Sequence, residues 1–280
     1  MTLPEIASWP WRLWRRQTAA VTRLELRKCR RARRLVAPLL LALLPILIIG
    51  AVSIVRIVIG KPTNSVKLDQ GYAVFFQTFF LRFLVFFGCA AIFTGVFRGD
   101  MLEKTLHYYL LAPVRREVIA AGKFLAALLA TATLFSISAV GSFLLMRLPL
   151  GRAGLEKFLL QGPGWGYLAG YVGVTVLACL GYGAVFLLFG ALFRNPVLPV
   201  LALFGLESIN FLLPGWLKMV SVVYYLQAMN PVPLPPSPFA LMADSISPLL
   251  AVAGLAAFAV IVLVVTALRI RRMEIIYAAD

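Results

Sequence analysis

The side chains that could do chemistry are concentrated in one polar segment, residues 98–123. It contains the single histidine of the chain, His107, together with Asp100 and Glu103. Carboxylate and imidazole groups at such short spacings could bind a metal ion if they shared one side of a helix. Charged side chains on a surface helix are more often simply hydrated. We therefore favour hydrated side chains over a metal site in this segment.

Two Gly-Lys pairs raise the question of nucleotide binding. A phosphate-binding loop has the pattern G-x-x-x-x-G-K-[ST], in which backbone amides surround the phosphates and the lysine reaches the terminal ones. The pair at 60–61 is followed by proline and the pair at 122–123 by phenylalanine, and neither has a glycine five residues upstream. We therefore expect no nucleotide site and no cofactor bound by this chain.

Enzymatic chemistry within a membrane would need other combinations of residues. An aspartyl protease needs two aspartates within the membrane, and a serine protease needs a serine and a histidine together at depth. Asp69, Asp244 and Asp280 lie outside the apolar segments, and His107 lies in the polar one. The chain is therefore not expected to be an enzyme.

The composition defines the elements that must position the polar groups. The chain is 61% hydrophobic and only 14% charged, which is outside the usual range of soluble proteins. A helix needs roughly 20 apolar residues to cross a hydrocarbon layer about 30 Å thick, and continuous apolar runs favour helices over a barrel. Six segments meet or approach this length: 35–59, 73–97, 119–146, 165–193, 196–214 and 248–268.

We therefore predict an all-α integral membrane protein with six transmembrane helices within residues 35–268. The fifth segment is the weakest, because it is short and contains Glu207. It is separated from the fourth by Arg194, Asn195 and Pro196, which form a compact turn signal.

Basic residues are distributed unevenly between the two sides of this domain. Of the 27 Lys and Arg residues, nineteen fall on one side, six on the other and two within predicted spans. The nineteen lie in the N-terminal segment, the connector after the second span, the next connection on that side and the C-terminal tail. The positive-inside bias predicts a multi-pass protein of the cell inner (plasma) membrane with both termini in the cytoplasm. An even number of spans agrees with this orientation.

The N-terminal segment 1–34 combines ten basic residues with Trp9, Trp11 and Trp14. Tryptophan at the headgroup level together with Lys and Arg is typical of a helix that lies in the membrane interface. The alternative is a hydrated basic tail, but three tryptophans in water are costly. We favour the interfacial helix, and we expect residues 269–280 to form a cytoplasmic tail.

The connector between the second and third spans has an amphipathic pattern of its own. Leu102, Leu106, Tyr109 and Leu110 recur at three- and four-residue spacing, which predicts a helix with one apolar stripe. Pro113 ends this helix. A connector that only joined two spans could be shorter, so residues 98–118 are predicted to be a docking element for a soluble partner.

The connector and the start of the third span contain an ordered motif: an acidic residue, Thr-Leu, a leucine-rich run, proline, a basic residue and Gly-Lys. In this chain these are Glu103, Thr105-Leu106, Leu110-Leu111, Pro113, Arg116 and Gly122-Lys123. With this motif the sequence resembles the ABC-2 family of ABC-transporter permeases. Many family members have glycine before Thr-Leu, where this chain has Lys104. Six spans, cytoplasmic termini and an N-terminal interfacial helix also match the family.

The resemblance implies a transmembrane subunit of an ATP-driven transporter, more often an exporter than an importer. Two permease chains would pair as a homodimer or heterodimer, and each would dock one cytoplasmic ATPase subunit that binds ATP and Mg²⁺. The connector would be the coupling helix. The implied ATPase-coupling residues are Glu103, Thr105, Leu106, Leu110, Pro113, Arg115 and Arg116.

Two ionisable residues fall near the middle of predicted spans, Arg82 in the second and Glu207 in the fifth. A charge at the centre of a span costs roughly 2.5–3.5 kcal/mol on insertion scales, so such residues tend to face a partner or a cavity. A mutual ion pair would offset much of this cost. A role in the transport pathway or at the dimer seam is the alternative.

The loop 215–247 is predicted to be extracytoplasmic. Its first half is apolar and aromatic, and five prolines between 231 and 238 exclude a regular helix in its second half. We expect a short helix that re-enters or lies on the outer leaflet, followed by an extended cap.

Three other functions remain to be weighed. The net charge of +16 does not indicate nucleic acid, because the basic residues lie where topology and anionic lipid headgroups favour them. A secondary transporter or channel without an ATPase partner is the main alternative, although no internal repeat of the kind common in such transporters is evident. A membrane-embedded enzyme is the remaining one.

Overall fold

The computed structural model describes residues 10–31, 35–60, 64–102, 114–193, 195–210, 214–232 and 246–271. Every regular element in these ranges is helical. Five helices are long and apolar enough to cross a membrane: Val36–Ile59, Ser65–Val96, Arg116–Leu150, Gly164–Leu192 and Pro248–Arg271. The predicted helical fold is confirmed for these ranges, and five of its helices could cross a membrane by their length and composition.

The first half of the chain begins with an amphipathic helix and continues with two long apolar ones. Helix α1 is Trp11–Arg31, α2 is Val36–Ile59, α3 is Ser65–Phe75, and α4 is Phe86–Leu102. Helices α3 and α4 are joined without a break by a π-helical segment, Phe76–Val85. The second long helix thus begins at Ser65 and not at the predicted residue 73.

The second half contains two further long helices, several short ones and the last long helix. They are α5 Arg116–Met146, α6 Gly151–Glu156, α7 Gly164–Leu192, α8 Val197–Ser208, α9 Gly215–Lys218, α10 Val222–Ala228 and α11 Pro248–Arg271.

The turn between α2 and α3 is defined by local backbone chemistry. Gly60 has a φ of 64°, a left-handed conformation that ends α2 and that glycine adopts without steric cost. Asn64 then caps α3, because its side chain accepts a hydrogen bond of 2.9 Å from the Val66 amide. The end of α2 at Ile59 agrees with the prediction, whereas the cap at Asn64 starts α3 eight residues before the predicted residue 73.

Helix α7 lies at the centre of the bundle and contacts α4, α5 and α11. At Gly190 it approaches α4 so closely that a Cβ atom there would lie 2.8 Å from the Thr94 carbonyl oxygen. Aromatic rings fill the space beside it: the Phe86 ring centroid lies 5.1 Å from that of Tyr182 and 5.0 Å from that of Phe186. Edge-to-face contacts of this kind add to the stability from burial.

The fifth predicted span corresponds to α8, which has only 12 residues. At 1.5 Å per residue it is about 18 Å long, less than the roughly 30 Å of the hydrocarbon layer. Residues 211–213, which continue the predicted span, lie outside the described ranges. A sixth crossing is therefore not shown by α8 itself.

Candidate functional site

The first of three polar sites lies at one end of the bundle, where α1 meets the first turns of α5. We call this region the α1 end. Lys123 of α5 donates a hydrogen bond of 2.6 Å to Glu25 of α1, and their side chains are only 0% and 10% exposed. The Thr22 hydroxyl donates to the Gly122 carbonyl oxygen at 3.1 Å. A buried ion pair and a buried hydrogen bond thus hold α1 against α5.

Gly122 is required for this close approach of the two helices. A Cβ atom at this position would lie 2.7 Å from Val21 Cβ and 3.1 Å from the Thr18 carbonyl oxygen. Atoms at such distances overlap, so any larger residue would force α1 away from α5. The Gly-Lys pair at the start of α5 therefore has a structural explanation within this chain.

The residues at the start of α5 contact two other helices at the α1 end. The Arg115 guanidinium lies 4.7 Å from the centroid of a Trp14 ring, within the range of a cation–π contact. Arg116 donates to the Arg271 carbonyl oxygen of α11 at 3.1 Å. Because the last carbonyl groups of a helix lack intrahelical donors, this contact caps α11. A more exposed ion pair of 2.9 Å joins Glu117 to Arg271.

The predicted ATPase-coupling residues divide into two groups. Glu103, Thr105, Leu106, Leu110 and Pro113 lie outside the described residues, as do the other possible metal ligand His107 and the predicted coupling helix itself. Arg115 and Arg116 are described, and both contact other helices of the same chain. At the C-terminal end of the connector, Arg115 and Arg116 thus contact α1 and α11.

The second polar site lies inside the bundle, around Glu207 near the end of α8. Glu207 is 3% exposed. Its carboxyl oxygens accept three hydrogen bonds: from the Ser221 hydroxyl at 2.7 Å and from the Val222 and Val223 amides at 2.9 and 3.1 Å. These amides are the first of α10, whose own N-cap residue Ser221 does not cap it with its side chain. Glu207 therefore caps α10 from another helix.

Within this chain, Arg82 does not form an ion pair with Glu207. It lies close enough for an electrostatic interaction with that carboxyl group and with Tyr182. Its Nε atom is nevertheless buried and has no hydrogen-bond partner among the described residues, and neither has the Tyr182 hydroxyl. Arg82 belongs to the π-helical segment Phe76–Val85; π-helical turns occur frequently at functional sites.

A third polar site, at the end of the bundle opposite α1, has no counterpart in the sequence-based predictions. Asp69 of α3 forms an ion pair with Arg147, the residue that ends α5, and the Arg147 side chain is only 1% exposed. The Arg147 guanidinium also lies 3.7 Å from the centroid of the Phe158 ring. The buried cation is thus neutralised by a carboxylate and covered by an aromatic face.

No group of three or more His, Cys, Asp or Glu side chains in the described ranges could hold a metal ion. The described polar groups form contacts between helices: ion pairs and hydrogen bonds join α1 to α5, α8 to α10, and α3 to α5. Compared with models of known protein families and with curated protein sequences, the chain gives no significant match.

Proposed function

We propose that this chain is the transmembrane permease subunit of an ATP-driven transporter of the ABC-2 type, acting as an exporter. The main support for the proposal is one observation: the connector 98–118 leads into α5, and the first two turns of α5 form polar contacts with both α1 and α11. A soluble motor that moved the connector would therefore move three helices of the bundle together. The resemblance of the connector sequence to that family supports the same function.

In the proposed assembly two permease chains form a homodimer or heterodimer, and two copies of a cytoplasmic ATPase subunit bind ATP and Mg²⁺. The permease chain itself binds no cofactor. Glu103, Leu106 and Leu110 contact the ATPase on the exposed side of the coupling helix. The apolar stripe supplies most of the contact energy, and the charges supply orientation.

The proposed topology has six spans, with both termini in the cytoplasm of the inner membrane and α1 in the interface of the cytoplasmic leaflet. In this topology α8 and the residues that follow it form the fifth of the six spans. Helices α9 and α10 re-enter the membrane from the opposite side. Cysteine substitutions at Ser65 and Ala279 test this orientation. In intact cells a membrane-impermeant thiol reagent should label position 65 and not position 279; labelling at 279 from outside would refute the topology.

The motor is tested by co-expression of the chain with its cognate ATPase. The isolated chain should not hydrolyse ATP, whereas the complex should contain two copies of each subunit. Glu103→Arg and Leu106→Asp should weaken ATPase association and transport while leaving membrane insertion intact. Lys157→Glu, a charge change at the end of the bundle opposite the connector, is the matched control and should leave association unchanged.

A double variant at 103 and 106 that binds the ATPase normally would show that the docking surface lies elsewhere. Transport by the isolated chain, driven by an ion gradient and without ATP, would instead establish a secondary transporter. Robust ATPase activity of the isolated chain would refute the permease assignment.

A further inference from the structure

A groove runs along α1 on the face turned away from its contacts with α5. Its volume is about 470 Å³, and its described lining consists of Ala20, Arg23, Leu24, Arg27 and Lys28. These residues follow one another at one-, three- and four-residue steps, so they form a continuous strip along the helix. The groove therefore lies on the surface that α1 presents to its surroundings.

The lining combines two kinds of chemistry side by side. Arg23 and Arg27 are exposed and one helical turn apart, so that their guanidinium groups can bind the oxygens of one phosphate in a fork-like geometry. Leu24, which lies between them in sequence, is 47% exposed. A ligand that fits this lining has a phosphate group attached directly to an apolar body.

We infer that this groove binds the phosphate headgroup of an anionic phospholipid in the cytoplasmic leaflet. The choice of leaflet rests on the orientation given under the proposed function. Arg23 and Arg27 contact the phosphate, and Ala20 and Leu24 contact the glycerol and upper acyl chains. The positive lining and the negative surface potential of that leaflet are complementary.

The apolar residues of α1 favour a lipid over an acidic protein surface. Leu13 lies seven residues before Ala20 and eleven before Leu24, so all three share one side of the helix. Leu13 is 52% exposed, and Trp11 in the first turn is 47% exposed. An exposed apolar strip beside a basic one is the pattern of a helix that lies in the membrane interface.

The groove is held in a fixed place relative to the membrane spans. The buried contacts of Thr22 with Gly122 and of Glu25 with Lys123 fasten the opposite side of α1 to α5. Arg23 and Arg27 follow these contact residues by one or two positions, and their backbone is therefore held by the same contacts. This distinguishes a built headgroup site from a hydrated basic tail, whose charges attract anionic lipids without a defined geometry.

The test uses the purified full chain reconstituted in phosphatidylcholine vesicles. Spin-labelled phosphatidylglycerol and spin-labelled phosphatidylcholine are compared by electron paramagnetic resonance, which gives the relative association constant of each lipid with the protein. The wild-type chain should prefer phosphatidylglycerol. Arg23→Gln and Arg27→Gln should each lower that preference about tenfold, or about 1.4 kcal/mol, because each removes a hydrogen bond between a guanidinium group and the phosphate.

The matched control is the double variant Arg15→Gln, Arg16→Gln, which removes two charges from the same helix outside the groove lining. It should keep most of the preference for phosphatidylglycerol, whereas Arg23→Gln with Arg27→Gln should lose most of it. All four arginines are exposed, so the variants should melt at the temperature of the wild type. Equal losses in the two double variants would show diffuse attraction and overturn the inference.

Two further outcomes would also overturn it. If inorganic phosphate at the concentration of the labelled lipid displaced it, the groove would be a site for free anions. If the double variant at 23 and 27 kept its lipid preference but lost ATPase association, the groove would be a protein contact. Because the lipid measurement needs no ATPase, failure of the permease assignment would leave its result unchanged.

Discussion

Replacing Glu207 with glutamine should destabilise the chain by disrupting the cap on α10. In the structure both carboxyl oxygens accept hydrogen bonds, one from the Val222 amide and the other from Ser221 and Val223. A glutamine side chain has one oxygen that accepts and one NH₂ group that only donates. At least one of the buried donors therefore faces another donor and loses its acceptor.

The size of the effect follows from these contacts. A buried amide without an acceptor costs about 1–3 kcal/mol. Loss of a helix N-cap costs about 1 kcal/mol in other proteins, and the Ser221 side chain does not cap α10 in place of Glu207. Both figures describe the same lost hydrogen bonds and are not added, so we expect Glu207→Gln to lower the free energy of unfolding by about 1–3 kcal/mol.

Thermal melting of the purified chain in a mild detergent measures this change. At about 2–4 °C per kcal/mol for a chain of this size, the melting temperature should fall by about 2–12 °C. Ser208→Ala is the matched control. Ser208 is the neighbouring residue, it is exposed, and its hydroxyl only donates back to the Phe204 carbonyl oxygen of its own helix. The control should melt within about 2 °C of the wild type.

A double-mutant cycle separates the cap from a pairing with Arg82. Since Arg82 interacts with Glu207 electrostatically but forms no ion pair with it, the coupling between Glu207→Gln and Arg82→Gln should stay below about 1 kcal/mol. A coupling of about 3 kcal/mol, with either single variant worse than the double, would show a direct pair. A melting temperature of Glu207→Gln equal to that of Ser208→Ala would refute the capping role itself.

Two more substitutions test the other interhelical contacts by the same melting assay. Gly122→Val should cost about 1–3 kcal/mol, because its side chain would overlap with Val21; Gly173→Ala, where a Cβ meets no atom within 4 Å, is its control and should be neutral. Asp69→Asn should cost about 3 kcal/mol, because it leaves the buried Arg147 without its carboxylate; a neutral result there would show that the guanidinium is hydrated.

The long apolar helices were predictable from the sequence because length and composition alone define them. The first predicted span, 35–59, differs by one residue from Val36–Ile59. The π-helical segment was not predictable, because Phe76–Val85 is mostly apolar apart from Gln77, Thr78 and Arg82, and its hydrophobic pattern does not distinguish π from α geometry. The short α8 explains why the fifth predicted span was the weakest one.

The polar contacts were predicted less well, because they join residues that are distant in sequence. Lys123 and Glu25 are 98 residues apart, and the sequence placed Lys123 among the basic residues that set orientation. A signal was present: Glu25 is the single acidic residue between positions 8 and 34, a segment otherwise rich in arginine. Glu207 was recognised as a residue that needs a partner, but two of its three partners are backbone amides, which a sequence does not mark.

Near each of its ends, helix α5 is joined to another helix by a buried ion pair. Lys123 and Arg147, both almost fully buried, each form an ion pair with a carboxylate of a preceding helix, Glu25 in α1 and Asp69 in α3. The two cations are 24 residues apart in sequence, which at 1.5 Å per residue separates them by about 36 Å, more than the hydrocarbon thickness of a bilayer. Separating either pair would cost several kcal/mol. A force applied at the connector should therefore tilt α5 together with α1 and α3 as one unit, and would not slide α5 past them.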